Sequence, residues 1–160
     1  MFSTLGSWLA ANSLDWSSLA VLDLFAGSGA LGLEAASRGA RMVVLVERSP
    51  QAAAVITRNM ASCGLDRAKV LVASAMDLPA RPSSYPGFDL CLADPPYELP
   101  ASEVQHALNS AALTWLEPGA LVVVERPTGQ ATCPLPEGWP VTAARRYSDT
   151  TLWYGHVQEG

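Results

Sequence analysis

Residues 21–32, VLDLFAGSGALG, are the stretch that decides the fold. A short apolar run ends at Phe25, and the three glycines Gly27, Gly29 and Gly32 follow it. This order predicts a buried strand, a glycine turn and a helix, which leaves backbone N–H groups at the helix start free to face a ligand. The stretch therefore predicts a ligand-binding loop in an α/β protein.

Short apolar runs and longer segments of helical period alternate along the rest of the chain, as they do in an α/β sandwich. The predicted strands are Ala20–Phe25, Met42–Glu47, Lys69–Ala73, Phe88–Ala93 and Ala120–Glu125. Each run is rich in Val, Leu or Phe and is too uniformly apolar for a half-exposed sheet. We therefore expect buried parallel strands.

The carboxyl-terminal part of the chain has a different pattern. Two β-prone runs, Val141–Tyr147 and Thr151–Val157, flank the turn residues Ser148-Asp149-Thr150, which predicts an antiparallel hairpin. A mostly parallel sheet that ends in such a hairpin is the outline of the α/β, Rossmann-like fold of class I S-adenosylmethionine-dependent methyltransferases. We expect one such domain over residues 1–160.

Two helices carry end signals. Ser49 and Pro50 precede a periodic segment and Gly64 follows it, which predicts an N-cap, a first-turn proline and a glycine terminus. The predicted core face of this helix is Val55, Ile56, Met60 and Cys63. A second helix is predicted from Ser102 to Pro118-Gly119, with the core stripe Val104, Ala107, Leu108, Ala111, Trp115 and Leu116.

The bulk composition excludes several classes of protein. With 49% hydrophobic and 16% charged residues, the chain is typical of a compact globular protein. It has no apolar run near the ~18 to 20 residues that cross a bilayer and no basic start of a secretory signal, so we expect a cytoplasmic protein without membrane contact. Three cysteines and two histidines match no metal-ligand pattern, and a net charge of −5 argues against binding nucleic acid by bulk electrostatics. We expect a monomer that holds no metal.

The glycine stretch alone leaves two ligands open. A G-x-G-x-x-G pattern with Glu47 about 20 residues on, where it can accept ribose hydroxyls, fits NAD as well as S-adenosylmethionine. Asp23 separates them, because a carboxylate near the turn repels the phosphates of a dinucleotide and attracts the ammonium and sulfonium of S-adenosylmethionine. The predicted cofactor-binding residues are Asp23, Phe25, Ala26, Gly27, Ser28, Gly29, Glu47, Arg48, Ala75, Met76 and Asp94.

The fourth predicted strand ends in Asp94-Pro95-Pro96-Tyr97, a stiff turn whose two prolines have no N–H groups. An exocyclic amino group is a poor nucleophile because its lone pair is delocalised into the ring. Acceptors for both of its N–H groups favour the pyramidal form that attacks carbon. We predict Asp94 as side-chain acceptor and proton sink, the Pro95 carbonyl as second acceptor, and Tyr97 as a ring that stacks on the base. Pro96 completes the predicted catalytic turn.

Residues 22–35, followed by Ser37-Arg38-Gly39-Ala40, resemble the RsmD family of 16S ribosomal RNA guanine-N2 methyltransferases. Similar blocks extend the resemblance over nearly the whole chain, at Val46-Glu47, Arg58-Asn59, residues 92–97 and Val124-Glu125-Arg126. The resemblance implies methylation of a guanine N2 amino group, with S-adenosylmethionine as donor and S-adenosylhomocysteine as product. The implied partner is 16S ribosomal RNA or the small-subunit particle.

Members of that family usually begin with a basic β-hairpin, and we expect roughly 30 family-typical residues ahead of Met1 to be missing. The remaining candidates for phosphate contacts are Arg126, Arg145 and Arg146. Three other interpretations stay open, and one of them is an NAD enzyme built on the same glycine pattern. The same Asp-Pro-Pro-Tyr chemistry serves adenine N6 of DNA or glutamine N5 of a protein, and a chain without the front segment could bind S-adenosylmethionine or RNA without turnover.

Overall fold

The computed structural model describes residues 1–130 and 132–160, in which it places four α-helices and seven strands. The helices are α1 (Phe2–Ala11), α2 (Ala30–Ser37), α3 (Pro50–Cys63) and α4 (Ala101–Thr114), and a 3-10 turn covers Trp16–Ser18. The strands are β1 (Ala20–Asp23), β2 (Met42–Glu47), β3 (Ala68–Val72), β4 (Phe88–Ala93), β5 (Leu116–Pro127), β6 (Val141–Tyr147) and β7 (Thr150–His156).

Within the described residues, the seven strands form one sheet with the order β3-β2-β1-β4-β5-β7-β6. The pairs among β1 to β5 are parallel, whereas β7 pairs antiparallel with both β5 and β6. The expected Rossmann-like sheet with a C-terminal antiparallel hairpin is thereby confirmed. Because β1 lies between β2 and β4, the strand order reverses beside it, and open α/β sheets bind ligands at the carboxyl ends of the strands at such a point.

The inner strands contribute alternate side chains to two cores, one on each face of the sheet. On one face, Val122 and Val124 of β5 pack with the buried residues of α4. On the other face, Leu121 and Val123 pack in the cluster that contains the buried residues of α1 and α3. By this alternation, Arg126 belongs to the face that α4 covers.

β3 is the exception to the prediction of fully buried strands. It pairs only with β2 and lies at an edge of the sheet. Ala68 is the buried residue of this strand, and Val72 is 54% exposed. Position at the sheet edge, rather than composition, determines how much of the strand solvent reaches.

The predicted end of the second long helix at Pro118-Gly119 is wrong. α4 ends at Thr114, and the Pro118-Gly119 pair lies inside β5. The register between β4 and β5 shifts between Phe88 and Leu90, and Gly119 has a φ of 78°. The chain therefore bulges at this pair without leaving the sheet.

α3 has the predicted ends but only part of the predicted core face. The Ser49 hydroxyl caps its first turn, and Gly64 ends it with a φ of 65°. Ile56 is fully buried, whereas Val55 is 40% exposed and Cys63 is exposed. Successive residues of a helix point about 100° apart, so Val55 and Ile56 cannot share one narrow contact with the sheet. By contrast, every position of the stripe predicted for the second helix is buried, although Trp115 and Leu116 lie beyond the end of α4.

Candidate active site

The glycine loop, residues 24–29, joins β1 to α2 at the carboxyl edge of the sheet. Leu24 and Ala26 tie its first half to the neighbouring strands, because their N–H groups donate to carbonyls of β4 and β2 at 2.9 Å. Gly27 and Gly29 then adopt left-handed conformations, with φ of 56° and 86°. A residue with a Cβ rarely adopts this conformation, so the glycine spacing of the sequence corresponds to a turn that glycine forms without strain.

Two carboxylates at strand ends hold the glycine loop through backbone N–H groups. Asp23, the last residue of β1, accepts the Gly32 N–H through Oδ2 at 2.9 Å. Glu47, the last residue of β2, accepts the Gly27 N–H through Oε2 at 2.8 Å and the Ser49 N–H through Oε1 at 2.9 Å. The bond to Gly27 anchors the loop itself, whereas the bonds to Gly32 and Ser49 fix the starts of α2 and α3 beside it.

Asp23 lies beneath the glycine loop rather than in the wall of a cleft, and its side chain is fully buried. Burial raises the pKa of its carboxyl group to about 7; the Gly32 N–H opposes this increase, and the charges of Asp94 and Glu47 add to it. The position corrects the prediction of Asp23 as a cofactor-binding side chain. β1 is a central strand, and its last side chain turns toward α2, where it anchors the helix start.

A cleft of about 260 Å³ opens between the glycine loop and the ends of β2, β3 and β4. This volume is close to the ~300 Å³ at which small-molecule pockets begin. Seven predicted cofactor-binding residues line the cleft: Phe25, Gly27, Glu47, Arg48, Ala75, Met76 and Asp94. Ala26, Ser28 and Gly29 belong to the loop but, like Asp23, do not line the cleft.

The cleft wall also contains Pro96 of the predicted catalytic turn and five residues that were not among the predicted site residues: Leu24, Val46, Ala73, Ser74 and Leu99. Ala73 and Ser74 follow β3 directly, so their place at the carboxyl end of a parallel strand is a signal that could have identified them. The Ser74 hydroxyl accepts the Met76 N–H at 3.1 Å and fixes a turn there, not a helix start. Leu99 has no such local signal, because the fold of the chain after the prolines brings it back to the cleft.

The acceptor loop, residues 94–100, joins β4 to α4 and closes the other side of the cleft. Asp94 lies in the cleft wall, Pro95 is buried, and Tyr97 is 67% exposed. Burial raises the pKa of Asp94, and the Arg126 guanidinium opposes this increase. One cleft therefore connects the glycine loop to a carboxylate that stands beside a rigid turn and an exposed aromatic ring.

Arg126 is 2% exposed and extends from β5 into the acceptor loop. Its guanidinium donates to Pro96 O at 3.1 Å and to Leu99 O at 2.6 Å, and its Nε donates to Gln130 Oε1 at 2.9 Å. The predicted contact of Arg126 with RNA phosphate is therefore wrong, because the loop that the side chain supports encloses it. Gln130 was not among the predicted site residues, and nothing local in the sequence marks it.

Arg145 and Arg146 are exposed on β6, at the end of the sheet that carries the acceptor loop. Arg146 pairs with Thr151, which in turn lies opposite Arg126, whereas Arg145 pairs with Leu152. Because side chains alternate along a strand, Arg146 shares the sheet face of Arg126 and Arg145 lies on the opposite face. Of the two exposed arginines, Arg146 is thus the one on the side of the acceptor loop.

Among the described residues, no helix combines the length and the apolarity that crossing a bilayer requires. The same part of the chain contains no group of three or more His, Cys, Asp or Glu side chains that could bind a metal. The cysteines are dispersed, with Cys91 buried, Cys133 partly buried and Cys63 exposed.

The sheet order, the glycine loop after β1 and the carboxylate at the end of β2 match the Rossmann-like fold of class I methyltransferases. A Haemophilus influenzae protein named as a methylase shares this fold with a TM-score of 0.78 at 29% identity, over 98% of this chain and 96% of that one. An RNA methyltransferase from Salinibacter ruber, solved with S-adenosyl-L-homocysteine, has a TM-score of 0.69 at 17% identity, over 99% of this chain and 92% of that one. At that identity, the likeness is one of fold.

The chain belongs to the family described as Conserved hypothetical protein 95, which matches residues 2–156, and the resemblance to the RsmD family is thereby confirmed. Ribosomal RNA small subunit methyltransferase D of Haemophilus influenzae is 35% identical over 120 residues, which cover 74% of this chain and 61% of the relative. The Escherichia coli protein of the same name is 32% identical over 137 residues, covering 85% and 66%. The chain thus spans about three fifths to two thirds of the length of these curated relatives.

Proposed function

We propose that the chain is an S-adenosylmethionine-dependent methyltransferase that modifies the N2 amino group of a guanine in 16S ribosomal RNA. The observation that carries this proposal is a single cleft with a glycine loop and Glu47 at one end and Asp94 at the other. The names of the curated relatives support ribosomal RNA of the small subunit as the substrate. The guanine N2 target rests on the motif resemblance.

The cleft has the polarity that S-adenosylmethionine requires. Glu47 keeps a further lone pair on each carboxylate oxygen after it binds the Gly27 and Ser49 amides, so it can accept both ribose hydroxyls. Phe25 and Met76 offer apolar surface for the adenine ring beside these oxygens. When bound, the cofactor supplies an electrophilic methyl group on a positively charged sulfur.

The charges around the cleft favour a cationic ligand over a dinucleotide. Asp23, Glu47 and Asp94 lie close enough together for the charges of the last two to raise the pKa of the first. A sulfonium and an ammonium are attracted by this cluster, whereas the two phosphates of NAD are repelled by it. Asp23 does not reach the cleft wall, and with a pKa of about 7 it carries only part of its charge at neutral pH, so Glu47 and Asp94 contribute most of this preference.

The acceptor loop supplies the groups that activate an amino nitrogen. The Asp94 carboxylate and the Pro95 carbonyl can accept the two N–H groups of the base while Tyr97 stacks on its ring. The nitrogen lone pair then forms a bond to the methyl carbon as the carbon–sulfur bond breaks, and the bonding pair stays on sulfur. The proton lost from nitrogen goes to Asp94 or to water, and positioning supplies most of the acceleration.

The exposed arginines of β6 give a path for the RNA backbone. Arg146 lies on the sheet face of the acceptor loop, two strands beyond Arg126 in the same cross-strand row. Strands are about 4.8 Å apart, so this row places Arg146 about 10 Å from the strand that supports the acceptor loop. A phosphate held there would follow a base stacked on Tyr97.

Three further points stay predictions: a single domain over residues 1–160, the monomeric state and the cytoplasmic location.

Transfer of a labelled methyl group from S-adenosylmethionine to small-subunit RNA and to assembled small-subunit particles tests the proposal. We expect label in N2-methylguanosine after digestion of the RNA to nucleosides. Because the chain covers only part of its relatives, the assay is run with this chain and with a chimera that carries the amino-terminal region of the Escherichia coli relative. Label in adenine or glutamine would reject the substrate, and cofactor binding without transfer by either protein would reject the activity.

A further inference from the structure

Arg126 poses a problem of charge. Its side chain is 2% exposed, yet the ion pairs among the described residues are Arg38–Glu34 and Arg41–Asp89, so Arg126 makes none. A buried guanidinium without a carboxylate partner is costly unless its donors find other acceptors. The acceptors that Arg126 finds are backbone carbonyls of the acceptor loop and the side-chain amide oxygen of Gln130.

Arg126 and Gln130 hold three carbonyls of that loop. Arg126 donates to Pro96 O at 3.1 Å and to Leu99 O at 2.6 Å, and Gln130 Nε2 donates to Tyr97 O at 3.2 Å. The two side chains are joined by the bond from Arg126 Nε to Gln130 Oε1 at 2.9 Å. The carbonyls on the far side of the turn are thus turned inward and fixed.

We propose that Arg126 and Gln130 form a positioning pair that sets the acceptor loop for methyl transfer, so that the Asp94 carboxylate, the Pro95 carbonyl and the Tyr97 ring face the substrate base. The proposal rests on the function proposed for this cleft. Neither residue touches the substrate. They act by deciding which carbonyls of the loop are already bound to protein and which remain for the base.

The strand that carries Arg126 explains why an arginine can do this. Val122, Val124 and Arg126 alternate onto the sheet face covered by α4, and the acceptor loop runs into the start of that helix. The planar fork of a guanidinium reaches Pro96 O and Leu99 O together, which the single point charge of a lysine cannot reproduce.

The pair has an electrostatic effect in addition to its geometric one. Asp94 lines the cleft together with Glu47 and Arg48, and its charge acts on Asp23 of β1 and on Glu125 and Arg126 of β5. Burial raises the pKa of Asp94 and the Arg126 guanidinium opposes this increase, so Arg126 favours the charged form of the acceptor carboxylate.

Arg126→Lys, Arg126→Gln and Gln130→Ala test the proposal, with Arg67→Lys as a control on the exposed turn before β3. We expect Arg126→Lys to lower kcat about 10- to 100-fold, because small displacements of positioned groups have effects of this size. Cofactor affinity measured by titration should stay within a few-fold, and Gln130→Ala should show a smaller loss of kcat. Arg126→Gln should also move the acidic limb of the kcat profile to higher pH, since the charge that lowers the pKa of Asp94 is gone.

A purely structural role predicts a different pattern: activity lost only in proportion to the folded fraction, cofactor binding lost with it, and no movement of the acidic limb. That pattern would overturn the proposal. Since Gln130 is exposed, Gln130→Ala tests the pair even where the Arg126 variants do not fold. Amide hydrogen exchange of the peptide over residues 95–101 should speed up in Gln130→Ala. Unchanged exchange would show that Arg126 and Gln130 do not act as a positioning pair. This readout needs no substrate, so it tests the positioning pair independently of the proposed reaction. The proposed reaction is refuted only if the wild-type protein transfers no methyl group.

Discussion

The glycine loop and the acceptor loop face each other across one cleft and are held by opposite chemistry. At and beside the glycine loop, the buried Asp23 and the partly buried Glu47 accept backbone N–H groups, as in the bond from Gly27 N–H to Glu47. At the acceptor loop, a buried guanidinium donates to backbone carbonyls, as in the bond from Arg126 to Leu99 O. Backbone amides at the glycine loop and backbone carbonyls of the acceptor loop thus bind side chains of the protein. Other groups of each loop remain for a ligand in the cleft.

The two loops differ in how far along the chain their supports lie. Asp23 is nine residues from Gly32 and Glu47 is 20 residues from Gly27, whereas Arg126 is 30 residues from Pro96. The carboxylates that support the glycine loop therefore lie at short sequence distances from it, and a local sequence motif can include them. The support of the acceptor loop depends on the pairing of β4 with β5, and the sequence distance between Arg126 and the loop does not reveal that pairing.

Of the changes that test the comparison between the two loops, removal of the acceptor carboxylate should have the largest effect, a loss of kcat. We expect Asp94→Ala to lower kcat about 100-fold or more, since a positioned acid or base contributes on that order. Cofactor affinity, measured by isothermal titration, should change only a few-fold, because the glycine loop keeps its own supports. Asp66→Ala, in an exposed turn, is the control. A variant that loses cofactor affinity as strongly as kcat would show that the two loops do not work separately.

The second largest effect should come from filling the space behind the glycine loop, which should lower the free energy of unfolding. A Cβ on Gly32 would lie 2.6 Å from Leu45 Cδ2 and 3.1 Å from Asp23 Oδ2. Overpacking of this kind costs about 1–3 kcal/mol, so we expect Gly32→Ala to reduce the free energy of unfolding by that amount in urea titrations. Gly6→Ala in α1 is the matched control, because nothing lies within 4 Å of its Cβ position. Equal stability of the two variants would contradict the close packing of α2 on the sheet.

Neutralising the ribose end of the cleft should weaken the cofactor and spare the acceptor chemistry. We expect Glu47→Gln to raise the dissociation constant for S-adenosylmethionine about 10-fold, since a hydrogen bond to a charged group contributes about 1.5–3 kcal/mol. kcat at saturating cofactor should fall much less. Glu34→Gln, whose side chain pairs with Arg38 on the surface of α2, is the control for loss of a carboxylate. An unchanged dissociation constant would remove Glu47 from the donor site.

The buried carboxyl group under the glycine loop should give the smallest signal, a slope of stability with pH. The folded protein raises the pKa of Asp23 from 3.8 to about 7. Between these values the unfolded chain releases a proton that the folded protein retains, so the contribution of Asp23 to stability falls as the pH rises. Asp23→Asn should lack this part of the slope in urea unfolding across that range. Identical slopes in the two proteins would show that Asp23 does not titrate in this way.

The parts of the fold that depend on local pattern could be predicted, and the parts that depend on position in the sheet could not. The apolar runs identified five parallel strands, but only the strand order shows that β3 lies at an edge and leaves Val72 exposed. Similarly, Pro118-Gly119 has the composition of a helix end, and pairing with β4 keeps it inside a strand. The loops of the site follow from motifs, whereas Arg126 was predicted to contact RNA phosphate because its charge alone suggested it.

The place of Arg126 on a strand determines which changes of length the chain can accept. Side chains alternate in β5, so one residue inserted between Val122 and Arg126 would turn the guanidinium to the face of α1 and α3 and leave a charge in an apolar core. One residue inserted in the loop between Gly138 and Val141, beyond the strand, leaves this register unchanged. Natural variation in length within this family should therefore collect in the loop and spare the strand. The acceptor loop, although it lies in another part of the chain, sets that limit.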